Sequence, residues 1–115
     1  MEAVFQITSG ERDAQSAMLG QLRNLLRYTD ETNTRVAVEV VVHGQAWTML
    51  LAVDNPQAAG VQELHQRGIR FLICRNTMNS HQLELSLLFP FVEVIPAGVV
   101  HLIMRQQEGW GYIRG

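Results

Sequence analysis

The sequence predicts one α/β domain, a three-layer α/β/α architecture whose mainly parallel five-stranded sheet is covered by helices. Two observations predict it. Val36 to Val42 is a nearly continuous β-branched run, the pattern of a strand buried on both faces, as parallel strands are. Short apolar β-forming segments also alternate along the chain with stretches of helical spacing, which implies right-handed crossovers between parallel strands. The length of 115 residues suits a single domain over 1–115, and no linker, repeat or low-complexity tract divides it.

The elements follow in order. Ala3 to Ile7 is a short apolar strand, and Thr8 and Glu11 after it have capping-box spacing. From Asp13, Met18, Leu22, Leu25 and Leu26 recur on one helical stripe up to about Tyr28, and Asp30 to Thr34 reads as a polar loop. The Val36 to Val42 run is the central strand. His43 to Ala46 follows as a loop and Trp47 to Val53 as a short helix. Asn55-Pro56 supplies an N-cap and an N1 proline for the next helix, which Val61 and Leu64 face inward and Gly68 stops. Ile69 to Ile73 is a third strand with Cys74 at its carboxyl end. Asn79 is placed to cap a helix over about Ser80 to Phe89, with Leu83, Leu87 and Leu88 inward, ended by Pro90. Val92 to Ile95 is a fourth strand. Pro96-Ala97-Gly98 opens a helix carrying Val99, Val100, Ile103 and Met104, Gly109 closes it, and Trp110 to Ile113 is the fifth strand.

Composition narrows the partners. A net charge of −2 with no Lys/Arg block offers no footprint for nucleic acid or an anionic membrane. No apolar run approaches the roughly 18 residues that span a bilayer, and Met1 to Phe5 lacks the features of a secretory signal, so a cytoplasmic location is expected. Charged residues at 17% fall below the usual share of about a quarter, which points to surface buried between subunits of a homo-oligomer. One cysteine allows no internal disulfide and no zinc ribbon.

In an open parallel sheet, ligands bind outside the carboxyl ends of the strands. His43 and Gly44 follow the second strand, Cys74 and Asn76 the third, and Pro96 to Gly98 the fourth, so these loops are expected to share one edge. Cys74 is the candidate nucleophile, because a helix N-terminus near Asn79 and a nearby Arg75, His43 or His81 would favour its thiolate; the plain alternative is a small apolar residue of the sheet. His43 is either its acid/base partner or a histidine capping a loop. Gly98 either admits an anion to the helix N-terminus or packs helix on sheet. His43, Cys74 and His81 have zinc-ligand types but no tight metal-binding spacing, and no dinucleotide or Walker motif appears, so neither metal nor cofactor is expected. Glu39 and Glu93 read as edge or interface groups, His65 and His101 as satisfied helix residues, and Trp110 and Tyr112 as packing on a terminal strand.

Cys74-Arg75-Asn76-Thr77-Met78 and Val94-Ile95-Pro96-Ala97-Gly98-Val99-Val100 resemble segments of the DsrE/DsrF-like family. Ile7-Thr8-Ser9, Asn24-Leu25-Leu26, Val41-Val42-His43-Gly44, Gln107 and Gly109-Trp110-Gly111-Tyr112-Ile113 fall in the same order as its other motifs, so the resemblance covers nearly the whole chain. It implies a compact α/β domain that assembles into homo-oligomers, often trimers or hexamers. It also implies a cysteine that carries persulfide sulfur between donor and acceptor proteins in relays serving sulfur oxidation or tRNA thiolation. Cys74 lies where the cysteine of the small single-domain branch is expected. The other reading of the residues is a non-catalytic oligomeric module that holds a small anion or a partner protein.

Overall fold

The computed structural model describes all residues from Met1 to Gly115. Strands β1 (Glu2–Ile7), β2 (Ala37–Val42), β3 (Arg70–Cys74), β4 (Glu93–Ile95) and β5 (Gly111–Arg114) form one sheet in the order β4-β3-β2-β1-β5, with every neighbouring pair parallel. The valine run therefore lies at the centre of the sheet, and Val38 to Val42 are all buried. Helices α1 (Arg12–Glu31), α2 (Ala58–Gln66), α3 (Arg75–Ser80) and α4 (Gly98–Gln107) complete the α/β/α fold.

Strand order and handedness together decide which helix covers which face. The steps from β1 to β2 to β3 to β4 all move the same way across the sheet, so right-handed crossovers carry their helices to one face. The return from β4 to β5 crosses the whole sheet in the opposite direction, which sends α4 to the other face. Burial follows this division. Phe5, Val40, Phe71 and Ile73 pack with Leu19, Leu22, Val61, Leu64 and Met78 in one cluster, while Val4, Val41 and Leu72 pack with Leu102 of α4 in another.

Four local expectations need correction. The Thr8/Glu11 capping box does not form: Glu11 itself is the N-cap of α1 and makes no side-chain cap, while Ser9 Oγ accepts from the Glu11 amide. Helix α1 also continues past Tyr28 to Glu31, because buried Thr29 extends the Leu22–Leu26 stripe and donates its hydroxyl to the Leu26 carbonyl. The segment after β2 turns at once into a 3₁₀ helix, Gly44–Leu50, instead of a loop and a helix from Trp47. Asn55 and Pro56 precede α2 without capping it: Asn55 Oδ1 accepts from Gln57 N, and its Nδ2 ties back to the Met49 and Leu51 carbonyls.

The largest difference lies between Cys74 and Pro90. The helix there begins directly after Cys74 and stops at Ser80, so Asn79 ends a helix where it was expected to cap one. Gln82, at φ +51°, turns the chain into a short 3₁₀ stretch, Leu85–Leu87. The backbone around Leu88 is claimed by the segment after β2: Ala52 N donates to Leu87 O, and Phe89 N donates to Leu50 O. Those bonds hold the chain extended, burying Leu88 and exposing Leu87.

Candidate functional site

The topology creates a crevice before any side chain is considered. β3 leads into α3 on one face and β4 leads into α4 on the opposite face, so the chain parts between their carboxyl ends, the place where open parallel sheets bind ligands. Cys74 ends β3 at this point, opposite Ile95 of β4, and serves as the extended N-cap residue of α3. Strand alternation puts Leu72 and Cys74 on the face covered by α4.

There the Gly98 amide, at the start of α4, donates to Cys74 Sγ over 3.2 Å. The glycine is what permits this approach. A Cβ on residue 98 would stand 3.3 Å from His43 Nδ1, 3.4 Å from Val41 Cγ1 and 3.5 Å from Cys74 Cβ, so the helix start is wedged between the imidazole and the cysteine. The thiol is only 5% exposed. Reagents can therefore reach it only when this segment moves.

His43 follows β2 on the same face as Val41. Its Nε2 lies 2.9 Å from Gln6 Nε2, and the other end of that amide, Oε1, accepts from the Tyr112 hydroxyl. Burial, helped by the positive charge of Arg114, pushes the His43 pKa below its ordinary value and favours the neutral ring. No hydrogen bond joins His43 directly to Cys74; Gly98 stands between them.

The other candidates are more scattered. Gly44, at φ +62°, turns the chain from His43 toward Thr8, whose carbonyl a Cβ there would meet at 3.0 Å. Asn76 and Asn79 are exposed on α3. Pro96 borders a shallow hollow of about 430 Å³ together with Ile95, Ala97, Val100, His101 and Met104. A larger hollow of about 490 Å³, lined by Ala3, Phe5, Leu25 and Ile113, opens on the opposite face, away from Cys74. His81 packs on Trp47 with ring centroids 5.3 Å apart, and no group of three His, Cys, Asp or Glu side chains is arranged to hold a metal ion.

Glu39 is neither an edge nor an interface group. It is fully buried in the central strand, beneath α4. Arg105 brackets its carboxylate with contacts of 2.9 and 2.8 Å, His101 Nε2 lies 2.7 Å away, and Arg70 reaches it at 2.7 Å while also gripping Glu93. Burial alone would raise the Glu39 pKa, but hydrogen bonds from Arg105 and His101, with their charge, outweigh it and hold the pKa below the usual carboxylate value. The only sequence signal for this cluster was a charge inside a valine run. Gln6 gave no signal, and Tyr112, read from the sequence as packing on a terminal strand, instead uses its hydroxyl on Gln6.

Comparison with known proteins places the chain in a family. The model of the DsrE/DsrF-like family matches residues 1–114. The solved structure of MTH1491 from Methanobacterium thermoautotrophicum, a protein of unknown function, is 31% identical, covers 99% of this chain and 98% of its own, and superimposes with a TM-score of 0.90. BT1422 from Bacteroides thetaiotaomicron, a conserved protein of unknown function, is 15% identical over 99% of this chain and 94% of its own, at a TM-score of 0.76. YchN from E. coli is 12% identical over 100% of both chains, at 0.75; these last two show a shared fold alone. No curated protein matches the chain, and no helix is long and apolar enough to cross a membrane.

Proposed function

Because this chain belongs to the DsrE/DsrF-like family, we propose that it is a cytoplasmic sulfur carrier in which Cys74 holds persulfide sulfur. The observation that carries this reading is the Gly98 amide directed at Cys74 Sγ from the start of a ten-residue helix. An N–H donor and a helix N-terminus both favour sulfur in its anionic form. The step is a displacement. The Cys74 thiolate attacks the outer sulfur of a donor persulfide, the donor's S–S bond breaks, the donor leaves as a thiolate, and a new S–S bond joins that sulfur to Sγ. An acceptor thiolate then takes the outer sulfur in the same way and releases Cys74.

A homo-oligomer, trimeric or hexameric, accompanies this reading. Val99, Val100, Ile103 and Met104 form an apolar strip on the outside of α4, each about half exposed or more, and such a strip is typical of surface that another protein covers. Light scattering at micromolar concentration should give a mass several times that of one chain. A monomer would remove this part of the proposal.

The test of function is intact mass after incubation with a persulfide donor. One sulfur atom should be added to the native protein and none to Cys74→Ser. A second reading, a non-catalytic module holding a small anion or a partner protein, is favoured by the burial of the thiol at 5% exposure. It prevails if Cys74 resists both sulfur and a small thiol reagent until the protein is unfolded.

A further inference from the structure

Tyr112 of β5, Gln6 near the carboxyl end of β1 and His43 just after β2 lie on the face that α4 only partly covers. The strand register places them there: Val4 pairs with Tyr112, and Gln6 with both Arg114 and Val41. Their side chains form one line, from the Tyr112 hydroxyl to Gln6 Oε1 and from Gln6 Nε2 to His43 Nε2, and its far end, His43 Nδ1, faces Gly98 beside Cys74.

A carboxamide has an acceptor at one end and donors at the other, so what occupies one end dictates what the other can meet. A phenol is a better donor than acceptor, and an amide carbonyl is the best acceptor available to it. With Oε1 taken by Tyr112, the amide presents an N–H to the ring, and only a ring nitrogen without a proton can receive it. In a neutral imidazole the proton then sits on the other nitrogen. We propose that Tyr112 and Gln6 are positioning residues that fix His43 in its Nδ1–H tautomer, so that it meets the Gly98–Cys74 contact as a hydrogen-bond donor and not as a base.

Two further observations agree. Burial and Arg114 both act against a second proton on this ring. Gly98 also leaves His43 Nδ1 and Cys74 Cβ about equally far from the place its missing side chain would fill, 3.3 and 3.5 Å, so a donor on Nδ1 borders the same small space as the sulfur. The role in sulfur transfer rests on the sulfur-carrier reading: with the tautomer set this way, His43 offers a hydrogen bond to an anionic sulfur near Cys74 and takes no proton from the thiol. The tautomer itself does not depend on that reading.

Nitrogen-15 NMR of the imidazole rings separates the two. The chain has four histidines, and His43→Gln identifies the signal. At a pH where the ring is neutral, the native protein should show a protonated Nδ1 and a bare Nε2, the reverse of the preference of free imidazole side chains. Gln6→Leu, which removes the bond to Nε2, should shift the tautomer ratio toward Nε2–H by about fivefold or more, the effect of losing one ordinary hydrogen bond. Tyr112→Phe frees the amide to rotate and should shift the ratio in the same direction by less, with the amide spectrum confirming an intact fold. A native ring found as Nε2–H, or a ratio unmoved by both substitutions, overturns the assignment whatever the mass spectrum shows. Treating the native sample with a persulfide donor tests the other reading: no mass gain sinks the sulfur carrier and leaves the tautomer standing.

Discussion

Between the sheet and the helices α1 and α2, 21 buried apolar residues form one continuous cluster, whereas between the sheet and α4 only four do, with Ile95 and Trp110 packed against them and the buried carboxylate of Glu39 alongside. The first face is what keeps a chain of this size folded, since the burial of apolar area is the dominant favourable term. On the second face α4 is fastened by directional contacts: Arg105 and His101 to Glu39 in its middle and last turns, and the Gly98 amide to Cys74 at its start. A helix held this way can shift without breaking the main core. The buried cysteine lies on that side.

The largest effect expected from this difference is in stability. Phe71→Ala removes a fully buried ring from the large cluster and should cost about 3–5 kcal/mol by urea denaturation. Leu102→Ala, on the thinner face and 6% exposed, should fall near the low end for such changes, about 2 kcal/mol, because the gap opens toward solvent and can fill. Equal costs would mean that the two faces contribute alike, and the comparison would fail.

How much of this was legible in the sequence depended on the range of the contact that decided it. The valine run gave the central strand because a strand buried on both faces needs no partner to be recognised. The Gly68 and Gly109 stops were local too, and both residues take the positive φ that suits a glycine. The Leu85–Leu88 stretch reads as helix from its leucine spacing, but its conformation is set by backbone bonds to Leu50 and Ala52. Leucine spacing carries no trace of those. Within the site, Cys74, His43 and Gly98 came together as expected from the order of strand ends, whereas Tyr112 reaches Gln6 across 106 residues and Glu39 meets Arg70 from β3 and His101 and Arg105 from α4.

A middle-sized effect is expected at Glu39. Glu39→Gln keeps the shape and removes the buried charge, leaving Arg105 and Arg70 facing a neutral amide. Both arginines retain a second partner, Glu108 and Glu93, so the cost should stay below that of stranding a buried ion outright, at about 2 kcal/mol. The pH dependence has a definite sign. Glu39 in the folded protein has a pKa below 4.5, so its share of stability is complete above about that pH and is lost as the pH falls through the folded value. Glu93, held down by Arg70, acts in the same direction. Acid denaturation curves of Glu39→Gln should therefore be shallower than those of the native protein without becoming flat, and an unchanged slope would show that the cluster does not hold α4 through its charge.

The smallest effect on stability, and the one most informative about the site, is expected from Gly98→Ala. Two terms oppose each other. Alanine in a helix is favoured over glycine by roughly 0.5–1 kcal/mol because less backbone freedom is lost on folding, and Gly98 has no left-handed φ to forbid it. Against this, the new methyl must stand 3.3 Å from His43 Nδ1 and 3.4 Å from Val41 Cγ1, and crowding of that kind costs an amount near the lower end of about 1–3 kcal/mol. The sum should move the urea midpoint little. The start of α4, though, must lift by a few tenths of an ångström, lengthening the Gly98 amide contact to Cys74 Sγ and weakening the cover over the thiol. Labelling of Cys74 by a small thiol reagent should accordingly speed up several-fold, and the increase should persist without denaturant and show little dependence on low urea, as a local opening does. Labelling that changes only in step with global stability would mean that Cys74 is reached by unfolding the whole domain, and α4 would then be as much a part of the core as α1.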